Sequence, residues 1–286
     1  MIKELYLFAK SVGLAIRDLV NHEGLEHAGY LSFLLMLTIF PFLVFFMAIL
    51  GFVGNVELSE KLLEIITHSN WAEFITALKP RIIEITSAPP QSLLTIAIVS
   101  AIWTASSIFE GIRTILNKAY RIHSYPAYIF RRMFSILEFI VAIVVISIFL
   151  FVLVILPTIW QMVAQFLTYG DTPLLSFISK EGDELRTLLL LVFGFCVISA
   201  SYYFLPSRRH RLRYTIPGTI TVMIAWGVFS WLFKFYLSNF PQVNLIYGSI
   251  AGIIIALLFF YVCSIIYIFG AEFNYHLEQT LFKRKK

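Results

Sequence analysis

The chain has 286 residues, of which 59% are apolar and only 14% charged, and its formal net charge is +5. Globular domains carry about 25% charged residues, so this composition excludes a soluble enzyme or a soluble nucleic-acid-binding module. A mean hydropathy of +0.83 agrees, and the sequence reads as an integral membrane protein built as one domain over residues 1–286.

Met1–His27 mixes Lys3, Glu4, Lys10, Arg17, Asp18, Glu23 and Glu26 with apolar residues and has no unbroken apolar core. It does not read as a cleaved signal peptide. Leu5, Phe8, Ala9, Val12, Ile16, Leu19 and Val20 follow helical spacing, which predicts an amphipathic helix either lying on the membrane surface or sealing the edge of a bundle. Six apolar stretches then follow: Tyr30–Phe52, Leu93–Phe109, Phe134–Leu156, Leu185–Leu205, Ile216–Leu237 and Gly248–Gly270. A spanning helix needs about 20 residues at about 1.5 Å each. The second stretch is short unless it continues through Gly111–Leu116. Between the first two, Leu58, Leu62, Ile65, Ile66, Trp71, Phe74, Ile75 and Leu78 suggest a further amphipathic helix. The fold class expected is therefore all-α, with six transmembrane helices and interfacial helices.

Basic residues set the orientation. Lys3, Lys10 and Arg17 precede the first span; Arg113, Lys118, Arg121, Arg131 and Arg132 join the second to the third. Arg208, Arg209, Arg211 and Arg213 join the fourth to the fifth, and Lys283-Arg284-Lys285-Lys286 ends the chain. The alternate connections hold only Lys61, Lys79, Arg81 and Lys180. Both termini are thus expected in the cytoplasm. The basic runs set topology and attract anionic lipid head groups at about 1 kcal/mol per residue. No folded module or aromatic platform accompanies them, so nucleic acid is not an expected partner.

Ionisable and small polar residues within spans are the candidate functional positions. Ser100, Thr104, Ser107 and Gly111 share one face of the second span, which either lines a hydrated path or lets helices approach closely. Gly248, Gly252 and Ala256 form a small-residue stripe on the last span, suited to contact with another helix or another subunit. Glu110, Glu138 and Glu272 lie near the cytoplasmic ends of their spans. With Arg113, and with Arg131 at hand, they are expected to form one polar cluster that either anchors helices or binds a charged head group. The histidines are scattered and no metal-ligand spacing or glycine-rich nucleotide loop occurs, so neither a metal, a cofactor nor an ATP-driven motor is expected.

Several segments resemble a known family. They are Leu37-Thr38-Ile39-Phe40-Pro41-Phe42, Trp103-Thr104-Ala105-Ser106, Leu116-Asn117-Lys118-Ala119-Tyr120, Pro217-Gly218, Tyr247-Gly248-Ser249 and Gly270-Ala271-Glu272-Phe273-Asn274. Their ordered combination is similar to the YihY/BrkB family of bacterial inner-membrane proteins. The resemblance implies six spans and an inner-membrane location. It also implies a role of the serum-resistance virulence type, or in moving lipid or lipid A precursors. The label ribonuclease BN, attached to many members, sits badly with this sequence, because hydrolysis of RNA calls for a cluster of His and carboxylate metal ligands. Carrying the motifs over marks Glu272 and Asn274, with Glu110, Arg113, Asn117 and Tyr120, as a polar site. The leading expectation is a transporter or flippase for a lipid or amphiphile, not an enzyme. The alternative is a scaffold that organises envelope proteins or homo-oligomers, and an enzyme acting on lipid head groups ranks last.

Overall fold

The computed structural model describes residues 2–52, 92–122, 127–167, 173–207, 212–239 and 251–282. Among these residues the chain is all-helical: α1 Ile2–Asn21, α2 Gly24–Phe52, α3 Ser92–Ala119, α4 Tyr128–Leu167, α5 Pro173–Phe204, α6 Leu212–Asn239 and α7 Ala251–Leu277, the last followed by a π-helical turn, Glu278–Phe282. Each expected span falls on a helix wherever it is described. Among the described residues, four segments are long and apolar enough to cross a membrane: Tyr128–Leu153, Thr187–Phe204, Leu212–Asn239 and Ala251–Thr280. The stretch that looked short on its own continues, since α3 runs unbroken to Ala119. The amphipathic segment expected between the first two spans, the basic runs at 208–211 and 283–286, and Gly248 lie outside the described residues.

Side-chain exposure follows a lipid solvent. Along α4, Arg132, Ser135, Phe139, Ile143 and Ser147 are buried, at spacings of three or four that define one helix face. Between them Met133, Leu137, Val141, Val144 and Ile148 are exposed. An apolar residue gains nothing by leaving hydrocarbon, so helix contacts in a bilayer must come from close packing and hydrogen bonds instead.

The residues form two compact units: Met1–Phe42, Ala88–Phe139 and Ile198–Lys286 in one, and Leu43–Ser87 with Ile140–Val197 in the other. In the second unit the rings of Phe149 and Phe193 stack with centroids 3.7 Å apart and planes at 3°. The first unit has a continuous core drawn from α1, α2, α3, α5, α6 and α7, including Leu19, Leu31, Leu116, Tyr202, Val222 and Ala271. Within it α6 and α7 pack closely. A Cβ on Gly218 would lie 2.4 Å from the carbonyl oxygen of Gly270, and one on Gly270 would lie 2.3 Å from Val222 and 2.6 Å from the Tyr202 hydroxyl. Only glycine fits at either position.

α1 is a helix, as its spacing predicts, and it packs on α7 through Ala15 against Phe273 and Leu277, with Phe8 edge-on to Phe273 at 5.2 Å. Its buried face is rotated from the apolar stripe. Ser11 and Asp18 are buried, whereas Ile16 and Val20 are exposed. The reason is electrostatic and appears at the site below.

Candidate functional site

Two buried ionic clusters occupy the first unit. In the first, Arg113 of α3 is 5% exposed and is surrounded by acceptors. It donates to Glu110 at 2.9 Å, Ser135 at 2.7 Å and Glu138 at 2.5 Å, and to the backbone carbonyls of Leu205 at 3.2 Å and Arg131 at 3.1 Å. Glu110 also pairs with Arg131 at 3.4 Å. The geometry follows from the sequence. Glu110 and Arg113 are three apart on one helix, and Arg131, Ser135 and Glu138 recur at four and three residues on α4, so each trio presents one face. A guanidinium has five donors in a fixed fork, and here most have partners. The expected grouping of Glu110, Arg113, Glu138 and Arg131 is present, and Ser135 joins it.

Glu272 does not belong to that group, which corrects the single cluster expected from the sequence. It forms a second one with residues that sequence reasoning did not select. Glu272 is 2% exposed and accepts two hydrogen bonds from Arg121, at 2.8 and 3.0 Å. Arg121 also donates to Asp18 at 2.9 Å, and the ring of Tyr275 lies under its guanidinium at 4.6 Å. Asp18 in turn lies 2.9 Å from Nε2 of His276, and His22 lies 3.4 Å from Glu272. Burial pushes the Asp18 carboxyl up, but hydrogen bonds from His276 and Arg17 and the charges of His276 and Arg121 outweigh it and hold the group below the usual carboxylate range. Asp18 therefore turns α1 so that a charged position, not the full apolar stripe, faces the bundle.

Arg121 reaches this position through the end of α3. Its φ is 58°, the left-handed region that favours glycine. Arg121 N–H donates to the Lys118 carbonyl at 3.1 Å and Ile122 N–H to that of Asn117 at 2.8 Å, the bond pattern of a helix terminated by a left-handed residue. A non-glycine residue held there costs about 1–3 kcal/mol and persists only where surrounding contacts fix it. The Asp18 and Glu272 pairs supply those contacts.

Asp18, Glu272 and His276 each place one ligand atom within 4.8 Å of the others. Residue order does not reveal this grouping, because Asp18 stands far in the chain from Glu272 and His276. The grouping does not fit a metal as it stands, since Arg121 already bridges both carboxylates.

The remaining expected site residues are spread out. Asn117 exchanges hydrogen bonds with Ser207, both at 2.8 Å, and so ties α3 to the segment after α5. Asn274 accepts from the Gly218 backbone N–H at 2.7 Å and donates to the Thr215 carbonyl at 3.2 Å. Pro217 removes a helical donor from α6, and Asn274 braces the backbone on either side of it. Neither asparagine joins Arg113 or Glu272. Of the expected small-polar face, Thr104 is exposed, Ser107 bonds to Arg132 at 3.1 Å, and Gly111 packs on α2, where a Cβ would lie 2.5 Å from Leu34. The side chain of Ser100 is outside the described residues. On α7, Ala256 is buried, but a Cβ on Gly252 would meet nothing within 4 Å. Among the described residues, Gly218 and Gly270 make a close small-residue contact between α6 and α7.

The motifs that meet here, Pro217-Gly218 and Gly270 to Asn274, belong to segments that resembled a family, and comparison with known proteins decides the point. The profile of the family described as virulence factor BrkB matches residues 15–286. The chain belongs to the BrkB family. A relative in Bacillus subtilis, named as the ribonuclease-like protein YfkH, is 30% identical over 265 residues, covering 93% of this chain and 92% of that one. A UPF0761 membrane protein of Alteromonas mediterranea is 34% identical over 119 residues, 40% of each chain. Another, from Psychromonas ingrahamii, is 30% identical over 100 residues, 35% of this chain and 34% of that one. No solved structure matches the chain. The apolar helices and these relatives identify this BrkB-family chain as a membrane protein.

Proposed function

We propose that this protein is a bacterial inner-membrane transporter or flippase for a lipid or other amphiphile, working without an ATPase of its own. In this reading six helices span the membrane, and both termini, with most basic residues, face the cytoplasm. The observation that carries it is the Arg113 cluster. Two carboxylates and two guanidinium groups gather on the first turns of α4 and the facing part of α3, where α4 is otherwise lined by exposed apolar residues. Ionisable groups at membrane depth are costly and mark pathways and binding sites by default. Glu138 is the most accessible member, with a quarter of its side chain exposed, between Phe134 and Val141, which face lipid. A head group can exchange partners with Glu138 and Arg113 while its chains stay in hydrocarbon.

Reconstitution tests the proposal. Purified protein in vesicles should speed movement of fluorescent phospholipids between leaflets, and Glu138→Gln should slow it without changing the melting temperature. Equal rates in protein-free vesicles and in both proteoliposomes would dispose of the transport reading. The second reading, a scaffold for envelope proteins, draws on Gly252, whose open side leaves room for a helix of another chain. Co-purification of a partner, lost in Gly252→Leu, would favour it.

A further inference from the structure

Arg132 sits beside the Arg113 cluster but is not matched by any part of it. It lies in the first turns of α4 and is 4% exposed. One terminal nitrogen donates to Ser107 at 3.1 Å, the other donates to the Trp103 carbonyl, and the guanidinium lies over the Trp103 ring at 4.2 Å. Its Nε has no hydrogen-bond partner, and among the described residues no carboxylate lies within ion-pair distance of it. Among the described residues, Glu110 and Glu138 pair with Arg113 and Arg131, and neither pairs with Arg132. A buried charge without a counter-ion is strongly disfavoured. An aromatic face offsets only part of that, at about 0.5–2 kcal/mol.

Three neighbours say what the missing counter-ion is. A guanidinium with a free N–H beside a hydroxyl is the donor set that binds phosphate oxygens. The amino end of α4 adds the positive pole of the helix dipole. Around it Ile129, Phe130 and Met133 are exposed and apolar, and Trp103 is 50% exposed, as an indole at the level of the head groups would be. We infer that Arg132, Ser107 and Trp103 form a binding site for the phosphate of an anionic phospholipid, whose chains lie along the exposed side chains at the start of α4. The site concerns binding and does not rest on transport. A protein that moves no lipid still holds one here.

Mass spectrometry of the full-length protein, purified in mild detergent from equal amounts of phosphatidylglycerol and phosphatidylethanolamine, tests this. The wild type should retain phosphatidylglycerol in preference. Arg132→Gln should lose that retention by about tenfold or more, the value of one charged hydrogen bond. A folded Arg132→Gln with unchanged retention overturns the site. Should that variant not fold, Arg132→Lys keeps the charge and loses the fork, and unchanged retention in it overturns the site equally. Inorganic phosphate added to delipidated protein separates the sources. A rise in melting temperature in the wild type but not in Arg132→Lys assigns the site to phosphate without chains. Phosphatidylglycerol retention without such a rise assigns it to lipid. Neither effect in the wild type overturns it.

Discussion

Arg121 and Glu272 stand 151 residues apart in sequence and share two hydrogen bonds of 2.8 and 3.0 Å. The pair decides how three elements meet. Arg121 ends α3 in a backbone conformation that disfavours it, Glu272 is buried on α7, and Asp18 brings α1 to the same guanidinium. Removing one member strands the others in a site with little water. Arg121→Ala should therefore destabilise the protein by about 3–5 kcal/mol, and Arg121→Gly by less, because glycine relieves the backbone strain. Thermal unfolding in detergent distinguishes them. Equal losses would mean that the left-handed backbone is not strained.

Acid should loosen α1 in a defined window. The Asp18 carboxyl is held below its ordinary range, so the folded state binds protons less readily than the unfolded one. Its contribution is complete above the ordinary carboxylate value of about 3.9 and fades as pH falls through the lower folded value. The difference in melting temperature between wild type and Asp18→Asn should shrink as pH falls below about 4. A difference that persists undiminished through that range contradicts the assignment.

Glycine substitutions should divide by position. Gly270→Ala places a methyl group against Val222 and the Tyr202 hydroxyl, and overpacking of this kind costs about 1–3 kcal/mol. Gly252→Ala meets no atom within 4 Å, and in a helix interior it should be neutral or stabilising by up to about 1 kcal/mol. Melting temperatures of the two variants read the contrast directly. A larger loss at Gly252 would show that another chain packs there.

Asn274→Ala leaves the Gly218 N–H and the Thr215 carbonyl without their side-chain partner. An unmet buried group costs about 1–3 kcal/mol, and hydrogen exchange at Gly218 should speed up while that of mid-α6 residues stays slow. Unaltered exchange would show that α6 does not depend on this brace.

Much of this was legible from residue order. Apolar stretches of spanning length located the helices, and the three-residue spacing of Glu110 and Arg113 anticipated their ion pair. Glu138 was assigned to the same cluster because its depth in the third span matched theirs. Depth failed for Glu272, which meets Arg121, eight residues beyond Arg113 in the chain. A residue's depth in a span says nothing of the rotation of its helix. Asp18 and His276 escaped for a related reason. Each is one charge among several in an ordinary helical pattern, and only the docking of α1 on α7 makes them neighbours. Arg121, counted among the basic residues of a connection, carried no mark of its backbone conformation.

Asp18 and His276 are 258 residues apart, which gives the Glu272 cluster a place in the timing of synthesis. During translation Asp18 and Arg121 emerge long before Glu272 and His276, so Arg121 waits without its main counter-ion until the final helix enters the bilayer. A chain cut short before Glu272 exposes that arginine and releases α1, whatever the quality of its other helices. The last charged pair to form is thus a test of completeness, and truncated products should be open to proteolysis at their amino ends.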